Sequence, residues 1–377
     1  MSIVIAPDSF KESLCSIRVA QAIGRGWSSV YPDADIFLCP MADGGEGTID
    51  ALLSNGGGKR YYHMVEDPLS SVTEACWAVV DNDTAIIEMA AASGLHHIPT
   101  SKRDVLRASS YGTGELIKAA LDVGVKRIIL GLGGTATNDA GMGCMKALGV
   151  RFLDDKNREL SSGGGSLAQL KRIDLSFMDP RIRTVQFDAV VDVNNPLYGP
   201  EGASLVFGPQ KGASVDDAIS LDKNLEHLAV VMKQALQQDF SQLSGSGAAG
   251  GMGFMAKALL EAQFYSGVEF IANVVGLPHK IKNAHLVITG EGCFDGQSLM
   301  GKTPIGIARL AKKTNTPVIV LAGKLGEEYQ LLYDEGVTAA FSLASGPMSL
   351  TDAIEQTEES LQSRTADIAR IWRASKD

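Results

Sequence analysis

Short apolar runs alternate with amphipathic stretches at both ends of this chain. Ser2-Ile-Val-Ile-Ala6 reads as a buried strand, broken by Pro7-Asp8-Ser9, and Ser16 to Ser28 carries the apolar spacing of a helix. Asp35-Ile-Phe-Leu-Cys39 predicts a second strand. It leads through Pro40 into the loop Ala42-Asp-Gly-Gly-Glu-Gly47, and a helix over Thr48 to Ser54 stops at Gly56-Gly-Gly58. Near the C-terminus the order recurs. Leu286 to Thr289 is a strand, Pro304 to Lys312 a helix with proline in its first turn, Pro317 to Ala322 and Ala339 to Ser342 strands, and Thr351 to Trp372 one closing amphipathic helix. Strand–loop–helix repeated in this way predicts a parallel α/β sheet.

The middle of the chain differs. Thr73 to Val80 and Thr84 to Met89 predict a hairpin around Asp81-Asn82-Asp83, so antiparallel pairing enters, and residues 105–155 return to helix–strand–helix–strand order. The predicted fold class is α/β with two domains. One is a Rossmann-like parallel α/β domain built from both chain ends, residues 1–70 and 280–377; the other is an inserted mixed α/β domain, residues 71–279. The expected active site is the cleft between them.

Composition narrows the function. A chain of 377 residues is long for one core, and 45% hydrophobic with 6% aromatic residues is ordinary globular composition. A formal charge of −10 argues against nucleic acid as a partner, because phosphate backbones need a basic footprint. Cys15, Cys39, Cys76, Cys144 and Cys293 are scattered, odd in number and free of CxxC spacing. That pattern fits a reducing compartment. With no targeting segment and no apolar run long enough to span a bilayer, the expectation is a cytoplasmic protein without a membrane partner, monomeric or homodimeric.

Three glycine-rich loops invite different chemistry. Gly296-Gln-Ser-Leu-Met-Gly301-Lys302-Thr303 matches the P-loop spelling. Glu291 to Asp295 separate it from the predicted strand, however, and the next strand ends in Gly323-Lys324 rather than in an aspartate. A P-loop fold, a phosphate-contacting Lys302 and a surface lysine at a helix start all remain open. Gly131-Leu-Gly133-Gly134-Thr135-Ala136 follows a strand, with Asp154-Asp155 ending the next one, and so meets a relaxed dinucleotide fingerprint. That loop continues through Asn138 and Asp139, which read as groups aimed at a ligand or metal, or as a polar cap. Gly245 to Gly253, with Gly250 and Gly251, lets backbone approach a ligand closely, or forms a tight hinge.

Carboxylates cluster where predicted strands end: Asp8 with Ser9 and Lys11, Asp43 and Glu46, Asp192 with Asn194-Asn195-Pro196, and Glu291 with Asp295. In α/β enzymes such positions face ligands. Phosphoryl transfer needs a metal-binding carboxylate, an acid that orients the attacking hydroxyl, and cations for phosphate oxygens. His96-His97 has no third ligand at metal spacing, and no Gly-x-Ser-x-Gly elbow occurs.

The chain as a whole resembles the bacterial type I glycerate kinases. The matching segments are Ala6-Pro-Asp-Ser-Phe-Lys11, Pro40 to Thr48, Glu88 to Leu95, Tyr111 to Leu116, Gly131 to Gly143, Asp192 to Leu197, Phe207 to Gly212, Gly247 to Gly253 and Thr289 through Pro304. Glu12 and Ala140 stand where the family usually has glycine. The resemblance implies a two-domain α/β fold, ATP and a divalent metal (Mg2+) as requirements, and D-glycerate as acceptor, giving 2-phosphoglycerate in organic acid or sugar acid catabolism. It also implies that the P-loop spelling is coincidental in fold.

Residue roles come from the chemistry. The catalytic candidates are Asp192, Lys11 and Asp43. Asp8, Ser9, Gly44, Gly45, Gly133, Gly134, Thr135, Asn138, Lys211, Gly250, Gly251 and Lys302 are candidates for binding ATP, phosphate or substrate; Asp192, Asp295 and Glu291 are candidates for metal. Lys11, Lys211 and Lys302 are expected to turn into a cleft as anion clamps. The alternatives are an NAD-dependent hydroxy-acid dehydrogenase, resting on the Gly131 fingerprint alone, a kinase for another small hydroxy acid, and a non-catalytic nucleotide-binding regulator.

Overall fold

A computed structural model describes residues 1–10, 12–42, 47–296, 298 and 302–375. The chain begins with β1 (Ser2–Ile5), α1 (Ser16–Ser28), β2 (Asp35–Leu38) and α2 (Thr48–Gly56). It continues with β3 (Lys59–Glu66), β4 (Val72–Val80), β5 (Thr84–Glu88), α3 (Met89–Ser93), α4 (Tyr111–Val123), β6 (Arg127–Gly131) and α5 (Met142–Ala147). Then come β7 (Arg151–Leu153), β8 (Arg172–Asp174), β9 (Gln186–Val190), α6 (Ala203–Phe207), α7 (Val215–Leu236), α8 (Ala248–Leu259) and β10 (Gln263–Tyr265). The last elements are α9 (Gly267–Val274), α10 (Leu277–Lys282), β11 (Leu286–Phe294), α11 (Thr303–Lys312), β12 (Val318–Leu325), β13 (Ala339–Ser342), α12 (Leu350–Glu355) and α13 (Thr357–Ala374).

Two compact units result. The first comprises Met1–Asp43, Asp50–Gly57 and Ser266–Asp377; the second comprises Gly44–Ile49 and Gly58–Tyr265. In the first unit the described strands form a five-stranded sheet in the order β13-β12-β11-β1-β2, every pair parallel. Ile3, Ile5, Ile288 and Leu321 share a core with Ile23 and Trp27 of α1 and with Leu361 and Ile368 of α13. The two helices approach closely at Gly26, where an added Cβ would lie 2.3 Å from the Gln362 carbonyl oxygen. The register matters for chemistry. Ile5 lies opposite Ile288, and the Asp8 N–H still donates to the Gly290 carbonyl at 2.9 Å, so Asp8 and Glu291 come side by side beyond the end of β1.

The second unit holds a six-stranded sheet in the order β10-β9-β6-β5-β4-β3. β10, β9, β6 and β5 run parallel; β4 and β3 are antiparallel. Trp77, Ile87, Leu130 and Phe187 pack with Leu116 of α4 and with Phe254 and Met255 of α8. The α/β class, with a parallel sheet from both chain ends and an inserted mixed part, agrees with the sequence reading. Among the described residues, no helix is long and apolar enough to cross a membrane.

Several elements differ from their sequence prediction. β11 runs on to Phe294 rather than stopping at Thr289, because Cys293 and Phe294 still pair with Lys324 and Leu325. The closing helix is split at Gln356 into α12 and α13. Strand β3 is unpredicted: as an edge strand it buries little, and its polar residues mask the alternation. α7 is a further element beyond the sequence prediction, and Ser214 and Asp217 close a capping box at its start. Finally, β7 does not join the sheet beside β6 but pairs antiparallel with β8. Asp154, at its end, accepts the N–H groups of Lys156 and Arg158 and pairs with the Arg158 guanidinium. The strand that should carry the fingerprint's acid is therefore not the parallel neighbour of β6, which is β9 instead, and the dehydrogenase reading loses its footing.

Candidate active site

In the first unit, charged side chains gather where β1 and β11 end. Thr303, the first residue of α11, donates its hydroxyl to Asp8 Oδ2, while the Ser9 N–H donates to Asp8 Oδ1 at 2.6 Å. Glu291 is only 7% exposed; the Ser298 hydroxyl donates to its Oε1 at 2.6 Å, and Lys302 Nζ lies 3.7 Å from its Oε2. Burial pushes the Glu291 carboxyl up to about 7; the charges of Asp8 and Asp295 add to this, and Ser298 and Lys302 hold it back. Asp295 is half-buried and accepts from the Cys293 thiol at 3.4 Å. Lys302 caps the N-terminus of α11 with its side chain 42% exposed, so a helix end and an ammonium present positive charge together. Lys11, Asp43, Gly44 and Gly45 lie outside the described residues, as do 297 and 299–301 of the glycine string.

In the second unit, the loop after β6 is tied down along its length. The Leu95 N–H donates to the Gly134 carbonyl, the Ala136 N–H to Ser93, and the Ala140 N–H to Gly250. Asp139 is fully buried and accepts from the Ser110 N–H and hydroxyl and from the N–H groups of Gly141 and Gly143. Asn138 is equally buried and donates to the Ser204 hydroxyl at 2.8 Å. The Asp139 oxygens are thus satisfied inside the loop, as a buried carboxylate requires, whereas the buried Asn138 Oδ1 has no hydrogen-bond partner among the described residues.

Lys211 is buried beside the same loop. It is 4% exposed, and its ammonium donates to the Thr137 carbonyl at 2.7 Å and to the Thr135 hydroxyl at 3.3 Å rather than turning into a cleft. Burial pulls that ammonium down to about 8, with Asp139 pulling it back. Gly250 and Gly251 pack against the same loop: a Cβ on Gly250 would meet the Thr137 carbonyl oxygen at 2.0 Å. They act as close-packing positions, with φ of 67° and 91° that favour glycine. Gly134 is exposed and Gly133 half-buried, so this stretch is the accessible part of the loop.

Asp192 follows the end of β9 and is exposed. The turn behind it is fixed: Asn194 Oδ1 accepts from the Ser244 hydroxyl, Asn195 Nδ2 donates to the Glu201 carbonyl, and the Gly247 N–H donates to the Asn195 carbonyl. Asp192 belongs to the second unit, whereas Glu291 and Asp295 belong to the first. Among the described residues, no three His, Cys, Asp or Glu side chains form a group able to hold a metal ion unaided. The His96 and His97 rings lie 4.1 Å apart, tilted by 38°, and His97 Nε2 bonds the Ala91 carbonyl.

Sequence reasoning passed over the hydroxyls that hold these acids. Thr303 carried a signal, since it closes the Gly-Lys-Thr of the glycine string; Ser298, Ser110 and Ser204 carried none.

Known proteins place this constellation in context. A profile described as the glycerate kinase family matches residues 3–373. A protein named glycerate kinase from Bacillus subtilis (strain 168) is 45% identical over 377 residues, covering 100% of this chain and 99% of the relative. A protein named glycerate 2-kinase from Escherichia coli (strain K12) is 45% identical over 370 residues, covering 98% of this chain and 97% of the relative. A crystal structure from Salmonella typhimurium LT2, provisionally assigned as glycerate kinase 2, superposes with a TM-score of 0.90 at 42% identity, covering 100% of this chain and 99% of that one. The chain belongs to the glycerate kinase family.

Proposed function

We propose that this enzyme transfers the γ-phosphoryl group of ATP, bound with Mg2+, to the 2-hydroxyl of D-glycerate, giving 2-phosphoglycerate in the cytoplasm. The observation that carries the reading is full-length similarity at 45% identity to proteins named glycerate kinase and glycerate 2-kinase. The acidic edge of the first unit is compatible with Mg2+. Burial pushes the Glu291 carboxyl up to about 7, the charges of Asp8 and Asp295 add to this, and a bound cation would favour the ionised form. Mg2+ is commonly held by one or two carboxylates together with phosphate oxygens, so a cage of three is not required. When bound, it neutralises charge on the transferring phosphate.

The chain's own residues are assigned as follows. Glu291 and Asp295, or Asp192, hold the cation. Lys302, at the N-terminus of α11, and Lys11 draw phosphate oxygens, and the backbone of Gly133–Gly134 offers further N–H groups. Asp192 orients the substrate hydroxyl and accepts its proton late in a loose transition state; Asp43 is the rival for that role. Lys211 acts at one remove, by holding the 135–137 loop in shape.

The test is a coupled assay of ATP consumption. Turnover is expected only when D-glycerate and Mg2+ are both present. Turnover with a different hydroxy acid but none with glycerate would overturn the substrate assignment, and no ATP consumption with any of them would overturn the kinase.

A further inference from the structure

In the first unit the chain passes from β1 outward to β2 on one side, and from β11 outward to β12 and β13 on the other, so the strand order reverses between β1 and β11. In open parallel sheets ligands sit beyond the carboxyl ends of the strands at such a reversal. Glu291 stands there, past the end of β1, and Asp295 and Lys302 follow it along the chain.

Ser298 touches all three and has no exposed area. Its hydroxyl donates to Glu291 Oε1 at 2.6 Å and accepts the Asp295 N–H at 3.4 Å. Its own N–H donates to the Asp295 carbonyl at 2.9 Å, and its carbonyl accepts the Lys302 N–H at 3.3 Å. A serine hydroxyl carries one proton. Because the Asp295 N–H already points at the hydroxyl oxygen, that proton goes to Glu291, and the direction of the chain is set from Asp295 through Ser298 to Glu291. One oxygen of Glu291 is thereby held as an acceptor, while Oε2 lies on the Lys302 side. The described side chains of the P-loop spelling all behave alike: Ser298 and Lys302 go to Glu291, and Thr303 goes to Asp8.

We propose that Ser298 is a positioning residue of the phosphoryl transfer, fixing the two acids assigned to the cation relative to each other and to the lysine assigned to phosphate. The proposal rests on the kinase reading above and on its assignment of Glu291 and Asp295 to the cation. A carboxylate that holds a cation depends on such outer hydrogen bonds for its orientation, and losing one typically costs about 10–100-fold in metal affinity.

Mn2+ suits the same oxygen ligands and reports the ion without turnover, since its EPR signal falls on binding. The nucleotide-free protein should bind Mn2+, and Mg2+ should compete it off. Ser298→Ala should weaken that binding about 10–100-fold. Ser298→Cys fills the space but donates poorly, and should weaken it too. In steady-state assays both variants should need correspondingly more Mg2+ for half-maximal rate, with the KM for D-glycerate unchanged. Ser110→Ala, which takes an equally buried hydroxyl from Asp139, should leave Mn2+ affinity as it is. Equal Mn2+ affinity in Ser298→Ala and the unmodified protein would overturn the proposal and leave the kinase standing. Full affinity in Ser298→Cys would also overturn it, by making the contact one of packing. So would equal losses in Ser298→Ala and Ser110→Ala, or no Mn2+ binding by the unmodified protein. An unmodified protein that binds Mn2+ but consumes no ATP with D-glycerate would overturn instead the reading on which the proposal rests.

Discussion

Replacing Glu291 by glutamine preserves the side chain's shape and its capacity to accept the Ser298 hydroxyl, but removes its ionisation. In the folded protein this carboxyl is pushed from the ordinary 4.5 up to about 7, mainly by burial. Between those values the folded chain keeps a proton that the unfolded chain releases. The raised value therefore contributes stability that is fully present below about pH 4.5 and is lost as pH rises through about 7. A displacement of this size corresponds to about 3 kcal/mol. Glu291→Gln cannot ionise, so it escapes the loss. The two proteins should be close in stability near pH 5, and the variant should be the more stable at pH 8.5, by up to about 3 kcal/mol. Losing the contact to Lys302 subtracts little, because that side chain is 42% exposed. Urea unfolding of both proteins in EDTA across this pH range measures the difference. Added Mg2+ should narrow the gap at high pH, since a bound cation favours the ionised carboxylate. Parallel stability profiles for the two proteins would refute the reasoning.

Other perturbations test separate parts of the account. Asp192→Asn should leave the unfolding transition intact and lower kcat on the order of 10²-fold, the scale of a lost acid–base group; near-normal turnover would move the role to Asp43. Lys302→Ala should raise the KM for ATP or lower kcat at least roughly tenfold, because charge-assisted contacts are worth about 1.5–3 kcal/mol. Steady-state kinetics unchanged in both parameters would make Lys302 a surface residue. Gly26→Ala would place a methyl group 2.3 Å from the Gln362 carbonyl oxygen and 2.8 Å from Thr365 Cβ, so α1 and α13 must separate. The expected cost is about 1–3 kcal/mol in urea unfolding, and an unchanged midpoint would contradict the close packing.

β1, β11 and β12 were legible because both faces of their apolar runs are buried. Ile3, Val4 and Ile5 have no exposed area, and such runs announce themselves by composition. β3 was not, since an edge strand with Lys59, Arg60 and His63 on it reads as loop. Gly290 and Gly292 hid the extension of β11, which comes from pairing with β12, a long-range contact that no local pattern carries. Polarity in the 131–143 loop was visible, but its direction was not. Asp139 looked like a ligand to something external, and only the fold brings Ser110 and the Gly141 and Gly143 amides onto it. Glu12 and Ala140 have φ of 65° and 51°. Glycine adopts such left-handed backbone freely, and these two non-glycine residues adopt it here at some conformational cost.

Phosphorus NMR of the product formed from ATP, Mg2+ and D-glycerate tests the central claim most directly. The account predicts a single new phosphomonoester resonance split by the lone proton on C2, which is 2-phosphoglycerate. A resonance split by the two protons of C3 would place the phosphoryl group on the wrong hydroxyl, and formation of inorganic phosphate alone would contradict glycerate as the acceptor.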